Sequence, residues 1–296
     1  MSTNFIRQFK KLKYFSRLLQ NYSRMNTAMN TNDEVPTAVA PKKLKTEDTG
    51  KIFEKAICDA YGIPYDGPFQ YSQEEVDKLT PRLKRLVTDN MFPMCKHTAS
   101  KGARYDFTAV AENSEGKVIH LSAKSNKKKG GKVAPQVVGQ ATPQKFWGEF
   151  LQFSNGSNES SSSSLAPDPT TMKKYIQENI AAIMPMLWRY TFDSPMVYYV
   201  RDTNTIRFIA PAADAPEWAS FQYSWSRPYD KWSNSTTLRI VAPPGEGVGG
   251  VGGGGGKEET IMEFQFHTKS RQNMAIRWCI DKVLEMFAGH FKVTEL

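Results

Sequence analysis

From about Thr49 onward, apolar and polar positions alternate between helical and extended periodicity. In Gly50-Lys-Ile-Phe-Glu-Lys-Ala-Ile-Cys-Asp-Ala-Tyr61, the residues Ile52, Phe53, Ala56, Ile57, Ala60 and Tyr61 form one apolar helical stripe, with Glu54 beside it and Gly62 as a C-terminal stop. A second helix begins at Ser72, where Ser72-Gln-Glu-Glu75 makes a capping box, and runs through Leu79, Leu83, Leu86 and Val87, with Pro81 as a candidate kink. Residues 104–111 and 117–124 alternate with period two around the polar connection 112–116 and predict a β-hairpin. Residues 133–153 are helical by composition, with Pro135 in the first turn and Pro143 as an interruption. A helix is predicted over 172–188, strands over 196–200, 205–209, 237–241 and 260–267, and an amphipathic helix over 270–287 bearing Met274, Ile276, Ile280, Val283, Leu284 and Phe287.

The order helix, hairpin, helix predicts an α/β fold, with a mixed central sheet flanked by helices. Four stretches organise the chain: a leader and linker over 1–48, a core over 49–153, a serine-rich insert over 154–164, and a region over 165–296 that contains a glycine-rich insert at 245–256. The glycine tract lacks the Gly-Lys-Ser/Thr ending and the following helix of a phosphate loop. The leader carries Arg7, Lys10, Lys11, Lys13, Arg17 and Arg24 without an acid, and Phe5, Ile6, Phe9, Leu12, Phe15 and Leu19 recur at helical spacing. It reads either as an organelle-targeting peptide or as a basic arm that touches nucleic acid.

A chain of 296 residues at 40% hydrophobic and 12% aromatic content can bury one or two domain cores, which excludes collagen-like, wholly disordered and disulfide-stapled classes. The 39 Lys and Arg against 30 Asp and Glu leave a formal charge of +9, which favours a polyanionic partner, nucleic acid or an anionic membrane. No run approaches the roughly 18 apolar residues of a membrane span, so no membrane partner is expected. Cys58, Cys95 and Cys279 are isolated and odd in number, which points to an intracellular reducing compartment. His97, His120, His267 and His290 are equally scattered, so a metal is expected on oxygen ligands.

The chemistry concentrates around Tyr105-Asp106 on one predicted strand and Ser122-Ala-Lys124 on the next. Strand residues two apart share a face, so Ser122 and Lys124 project together while Ile119, Leu121 and Ala123 pack on the other side, and the neighbouring strand can deliver Asp106 to the polar face. An acid on one strand, x-x-Lys at the end of its neighbour and a glutamate on the preceding helix resemble the PD-(D/E)xK nuclease superfamily. The resemblance puts Glu54 in the place of the helix glutamate, Asp106 in that of the central metal ligand and Lys124 in that of the lysine. Tyr105 stands where the pattern has proline, and Ser122 where it has a second acid. It implies Mg²⁺ held by Asp106 and Glu54, with Lys124 orienting the attacking water and offsetting charge on the phosphate.

The following Ser125-Asn-Lys-Lys-Lys-Gly-Gly-Lys-Val-Ala-Pro-Gln-Val-Val-Gly-Gln140 resembles type II restriction endonucleases, in which a strand ending in lysine enters a Gly/Lys loop and then a helix bearing glutamine. The stretch from Lys124 to Gln140 is similar to that of the algal-virus enzymes of the CviJI kind. Gln136 and Gln140 would share one helix face, where amides beside a scissile phosphate can hold the water or the adjacent phosphate, with Gln136 a catalytic candidate and Gln140 a nucleic-acid contact. Lys127, Lys128, Lys129 and Lys132 are read as phosphate contacts, against the alternative of a solvated basic loop. On the last predicted strand Glu263, Gln265 and His267 alternate with Met262, Phe264 and Phe266 and lead into Lys269, Ser270 and Arg271. Gln265, His267, Lys269 and Arg271 are candidate contacts to base edges. The alternatives are the polar face of an edge strand, or a helix N-terminus at Ser270 that binds phosphate. Phe221, Tyr223, Trp225, Tyr229 and Trp232, with Arg227 and Lys231, are core or a stacking platform for an unpaired base.

The resemblance covers chiefly residues 50–150, with the remainder expected as a recognition region folded onto the same sheet. It implies a Mg²⁺-dependent endonuclease that cuts double-stranded DNA at a short recognition sequence, with a second copy of the chain as a candidate partner. The alternatives are a catalytically inactive nuclease-like binder of nucleic acid, suggested by Ser122, and an organellar RNA-binding protein, suggested by the leader and the aromatic residues.

Overall fold

The computed structural model describes residues 46–99, 103–110, 117–135, 141–151, 167–241, 258–267 and 273–296. The chain separates into the units Met1–Lys43 and Leu44–Leu296, and all described residues belong to the second. The basic leader, the connection 112–116, both inserts, and Gln136, Gln140, Lys269, Ser270 and Arg271 lie outside the described residues.

The first helix, α1 (Thr46–Tyr61), buries the stripe Ile52, Phe53, Ala56 and Ile57 and ends where expected. Gly62 takes a φ of +65°, and the Ile63 N–H donates to the Cys58 carbonyl at 3.0 Å. Only glycine takes that left-handed backbone without a Cβ penalty. In α2 (Gln73–Leu83) the Ser72 hydroxyl accepts the Glu75 N–H at 3.3 Å. Pro81 lies inside this helix, and the expected run to Val87 is interrupted at Lys84 before a short helical turn, α3 (Arg85–Thr88). Strand β1 (Cys95–His97) precedes the predicted hairpin, β2 (Phe107–Val110) and β3 (Val118–Asn126), which pairs Phe107 with Leu121 and Val110 with Val118.

Beyond the hairpin, α4 (Pro143–Lys145) runs into a π-helical segment, Phe146–Leu151. Pro143 therefore starts a helix instead of interrupting one: its missing N–H is among those a first turn leaves unbonded anyway, and Thr142 caps it by accepting the Lys145 N–H. The residues just after Pro135 lie outside the described ones, but the predicted helix does not include Val133. Val133 exchanges two backbone hydrogen bonds with Trp278, at 2.9 and 2.8 Å, and so is extended. The predicted helix over 172–188 is two helices, α5 (Pro169–Glu178) and α6 (Ile180–Phe192), parted at Asn179. Then come β4 (Met196–Val200), β5 (Thr205–Pro211), β6 (Gln222–Trp225), β7 (Ser235–Val241) and β8 (Glu259–His267). The chain closes with β9 (Asn273–Trp278), α7 (Ile280–Met286) and β10 (Phe291–Glu295).

The expected helix over 270–287 is thus half strand. Met274, Ile276 and Trp278 alternate with Asn273, Ala275 and Arg277, and pairing against β8 buries the first set. Only from Ile280 does helical spacing prevail. A second correction concerns topology. Strands β1-β2-β3-β4-β5-β10 make a mixed six-stranded sheet whose one parallel contact is β3 with β4, whereas β6-β7-β8-β9 form a separate antiparallel sheet and do not extend the first.

The fold is α/β, with the mixed sheet covered on both faces. Along β4, Val197 and Tyr199 join Leu121, Ala123 and Phe208 in a core under α1 and α2, while Met196, Tyr198 and Val200 join a second core with α6, Trp278 and Phe264. Phe221 and Trp232 are buried in that second core, and Trp225 stacks against Trp232 at 6.3 Å, so these aromatics are packing residues. Among the described residues no helix is long and apolar enough to cross a membrane.

Candidate active site

Strand β3 is covered on both faces, which decides where its polar side chains end up. Leu121 and Ala123 pack beneath α1, so alternation turns Ser122, Lys124 and Asn126 to the opposite face, where all three are buried. Asp106 sits one residue ahead of β2, at the level of Ser122 in the hairpin register. Its Oδ2 accepts the Ala123 N–H at 2.7 Å and the Lys124 ammonium at 3.1 Å. With Asp106 2% and Lys124 8% exposed, this is a buried ion pair, tolerated because the carboxylate also receives a main-chain hydrogen bond. Two charges desolvated at the open end of a hairpin are an inefficient way to stabilise a fold and a common way to hold chemistry.

Glu54, on α1, is buried between Lys51 and His97. Lys51 donates to its Oε2 at 2.9 Å, and His97 Nε2 approaches the same oxygen at 3.6 Å. Burial pushes this carboxyl up, but His97 and Lys51 more than offset it and hold Glu54 below the ordinary carboxylate value. The orientation of His97 is fixed by main chain: its Nδ1 accepts the Asp66 N–H at 2.9 Å, so in the neutral ring the proton resides on Nε2, facing Glu54. Tyr65 stacks on the ring at 4.7 Å and Phe107 packs at 5.0 Å. Burial lowers the Lys51 ammonium, yet the carboxylates of Glu54 and Asp106 raise it overall, so one lysine feels both acids. Lys51 and His97 were missed in the sequence; His97 lies on a three-residue edge strand with no spacing that ties it to Glu54. Among the described residues no cluster of three or more His, Cys, Asp or Glu side chains is arranged to hold a metal ion.

The basic turn and the polar face of β8, separate in the sequence, meet in space. Lys132 pairs with Glu263 at 3.4 Å, and Arg277 of β9 donates to the same Glu263 oxygen at 2.5 Å. Glu263 is therefore an ion-pair partner that ties the turn to the second sheet. Lys127, Lys128 and Lys129 are exposed. Gln265 and His267 share the face of Glu263, and their side chains bond to each other at 3.1 Å. Beside Asp106, Tyr105 donates to Asp193 at 2.7 Å and stacks on His120 at 4.1 Å, which anchors the position where the nuclease pattern has proline.

The chain is similar to a type II restriction enzyme. CviAII of Paramecium bursaria Chlorella virus 1 is 36% identical to it over 256 residues, or 86% of this chain and 64% of that enzyme. The likeness reaches well past residues 50–150 and takes in much of the remaining chain, which itself spans less than two thirds of the relative's length. No protein-family model matches the chain. No solved structure matches it.

Proposed function

We propose that this chain is an endonuclease of type II restriction kind, Mg²⁺-dependent, that hydrolyses phosphodiester bonds of double-stranded DNA at a short recognition sequence. The observation that carries the reading is the buried Lys124–Asp106 pair at the open end of the β2–β3 hairpin, in a chain 36% identical to a type II restriction enzyme. Asp106 and Glu54 supply hard oxygen donors, and Mg²⁺ commonly takes one or two carboxylates and completes its shell with water, so the donor set fits in kind. Bound there, the ion would neutralise phosphate charge and lower the pKa of a bound water.

The chain's own groups divide the remaining work. Lys124, held 3.1 Å from Asp106, places a fixed positive charge where the phosphate gains negative charge. His97 holds its Nε2 3.6 Å from Glu54 and helps to keep that carboxylate ionised. Ser122 presents a hydroxyl on the Lys124 face, and Gln136 is proposed to hold the attacking water. Lys127, Lys128, Lys129 and Gln140 are assigned to the DNA backbone, and Gln265, His267, Lys269 and Arg271 to base edges, while Lys132 is already engaged by Glu263 and is left out of that contact. Ser122 in the place of an acid favours one second reading, a nuclease-like protein that binds DNA without cutting it.

Plasmid cleavage with Mg²⁺ against EDTA separates the two. The wild type should cut only with Mg²⁺, and Asp106→Ala, checked for folding by near-ultraviolet circular dichroism, should stop cutting while DNA affinity stays within severalfold. Lys124→Ala should slow single-turnover cleavage by about a hundredfold, equivalent to roughly 3 kcal/mol. Binding of duplex without cleavage under any divalent ion would favour the inactive reading.

A further inference from the structure

Two carboxylates hold the turn 127–130 by its main-chain N–H groups, while Lys132 beyond it pairs with Glu263. The turn continues the pairing of β3 with β4: the Arg201 N–H donates to the Asn126 carbonyl at 2.9 Å, and the Asp202 N–H to the Lys127 carbonyl at 3.1 Å. The Asp202 side chain then accepts the Lys129 N–H on both oxygens, at 3.0 and 3.1 Å. Next in line, the Gly130 N–H donates to Asp281 at 2.8 Å. Asp281 stands in the first turn of α7 and is itself held by Arg207 at 2.8 Å and the Tyr198 hydroxyl at 3.4 Å. Gly130 has a φ of +70°, and a Cβ on Gly131 would come within 2.4 Å of the Asn126 side chain.

We propose that Asp202 and Asp281 are positioning residues that shape this turn as a preformed cradle for DNA phosphates, with Lys127, Lys128 and Lys129 aimed outward. The inference rests on the assignment of these lysines to the DNA backbone. Two carboxylates beside a polyanion oppose its binding by charge alone, by about twofold each at a separation near 8 Å in water. Ordering acts in the other direction. A turn whose main chain is already shaped need not fix it on binding, an advantage of about fivefold to thirtyfold for each residue so held, from which the relief of charge repulsion subtracts. The two accounts therefore differ in sign.

The test measures affinity of the full chain for a random-sequence duplex in EDTA at several salt concentrations. Asp202→Ala should bind about threefold to tenfold more weakly, with a shallower salt dependence. Asp202→Asn keeps an oxygen for the Lys129 N–H and drops the charge, so it should bind at least as tightly as wild type. Asp202→Glu keeps the charge and displaces the acceptor by one methylene, so it should bind more weakly; this variant decides the matter if the alanine variant melts early. Alanine and asparagine variants that both bind tighter than wild type, with the glutamate variant unchanged, would overturn the positioning role. Separately, a Lys127→Ala, Lys128→Ala, Lys129→Ala triple variant should lose about 0.9 in the logarithmic salt slope for each phosphate contact removed. An unchanged affinity and slope in that variant would overturn the backbone assignment itself, whatever the Asp202 variants do.

Discussion

At the scale of single residues, the Asp106–Lys124 pair makes demands on stability that can be read apart from catalysis. Asp106→Ala strands a buried ammonium, and removal of one partner from such a pair typically costs about 3–5 kcal/mol. Urea denaturation should show a loss of that order for Asp106→Ala and a smaller one when Lys124→Met is added, since the unpaired charge is then gone. A double variant no more stable than the single would mean that the ammonium reaches water. Glu54 predicts a pH dependence. Its carboxyl is depressed in the folded chain, so its contribution is fully present above the ordinary carboxylate value and is lost as pH falls through the lower folded value. The destabilisation caused by Glu54→Gln should therefore be largest near pH 7 and shrink toward pH 3, as followed by denaturant melts across that range. Gly131 is a steric constraint: in Gly131→Ala the new methyl meets the buried Asn126 side chain, and thermal melts should report a loss of about 1–3 kcal/mol. At this scale Asp106, Lys124 and Glu54 were legible because chemistry-bearing residue types stood at strand and helix spacings. His97 was not, because its role comes from the approach of α1 to the edge strand, whereas Lys51 stands at i,i+3 from Glu54 on the same helix and could have been read from that spacing.

Elements were legible where one periodicity had no rival. The stripe of α1, the cap of α2, the hairpin and β4 all sit where the pattern put them, and Ser72→Ala should lower stability by about 1 kcal/mol through the lost cap, measurable by chemical denaturation. Where the pattern supported two periods, pairing chose between them. Met274 and Ile276 continue a helical stripe into Ile280, yet they also alternate, and an exposed edge on β8 rewards the extended form with a full ladder of hydrogen bonds. Val133 is extended for the same reason, since Trp278 offers it a partner. Proline punctuated as physical chemistry requires, but its sense depended on which side of it the helix lay: Pro143 opens α4, and Pro81 is accommodated within the last turn of α2.

In the unit Leu44–Leu296 the two cores share a single partition, the mixed sheet. Because β4 sends alternate residues into each, neither core can lose its packing without exposing the back of the other. All their members fall between Ile52 and Leu296, so a chain that begins at Leu44 should still unfold in one transition, with equal calorimetric and van't Hoff enthalpies. Two separable transitions would show that the sheet does not couple the cores. By itself the sequence determined the α/β class, the hairpin and the meeting of Asp106 with Lys124, since local periodicity and residue chemistry act over a few neighbours. Only the tertiary structure decided that the later strands would build a second sheet, that Lys132 would spend its charge on Glu263, and that His97 would face Glu54. Those outcomes depend on which edges and desolvated charges are brought together across scores of residues, and no spacing along the chain encodes that distance.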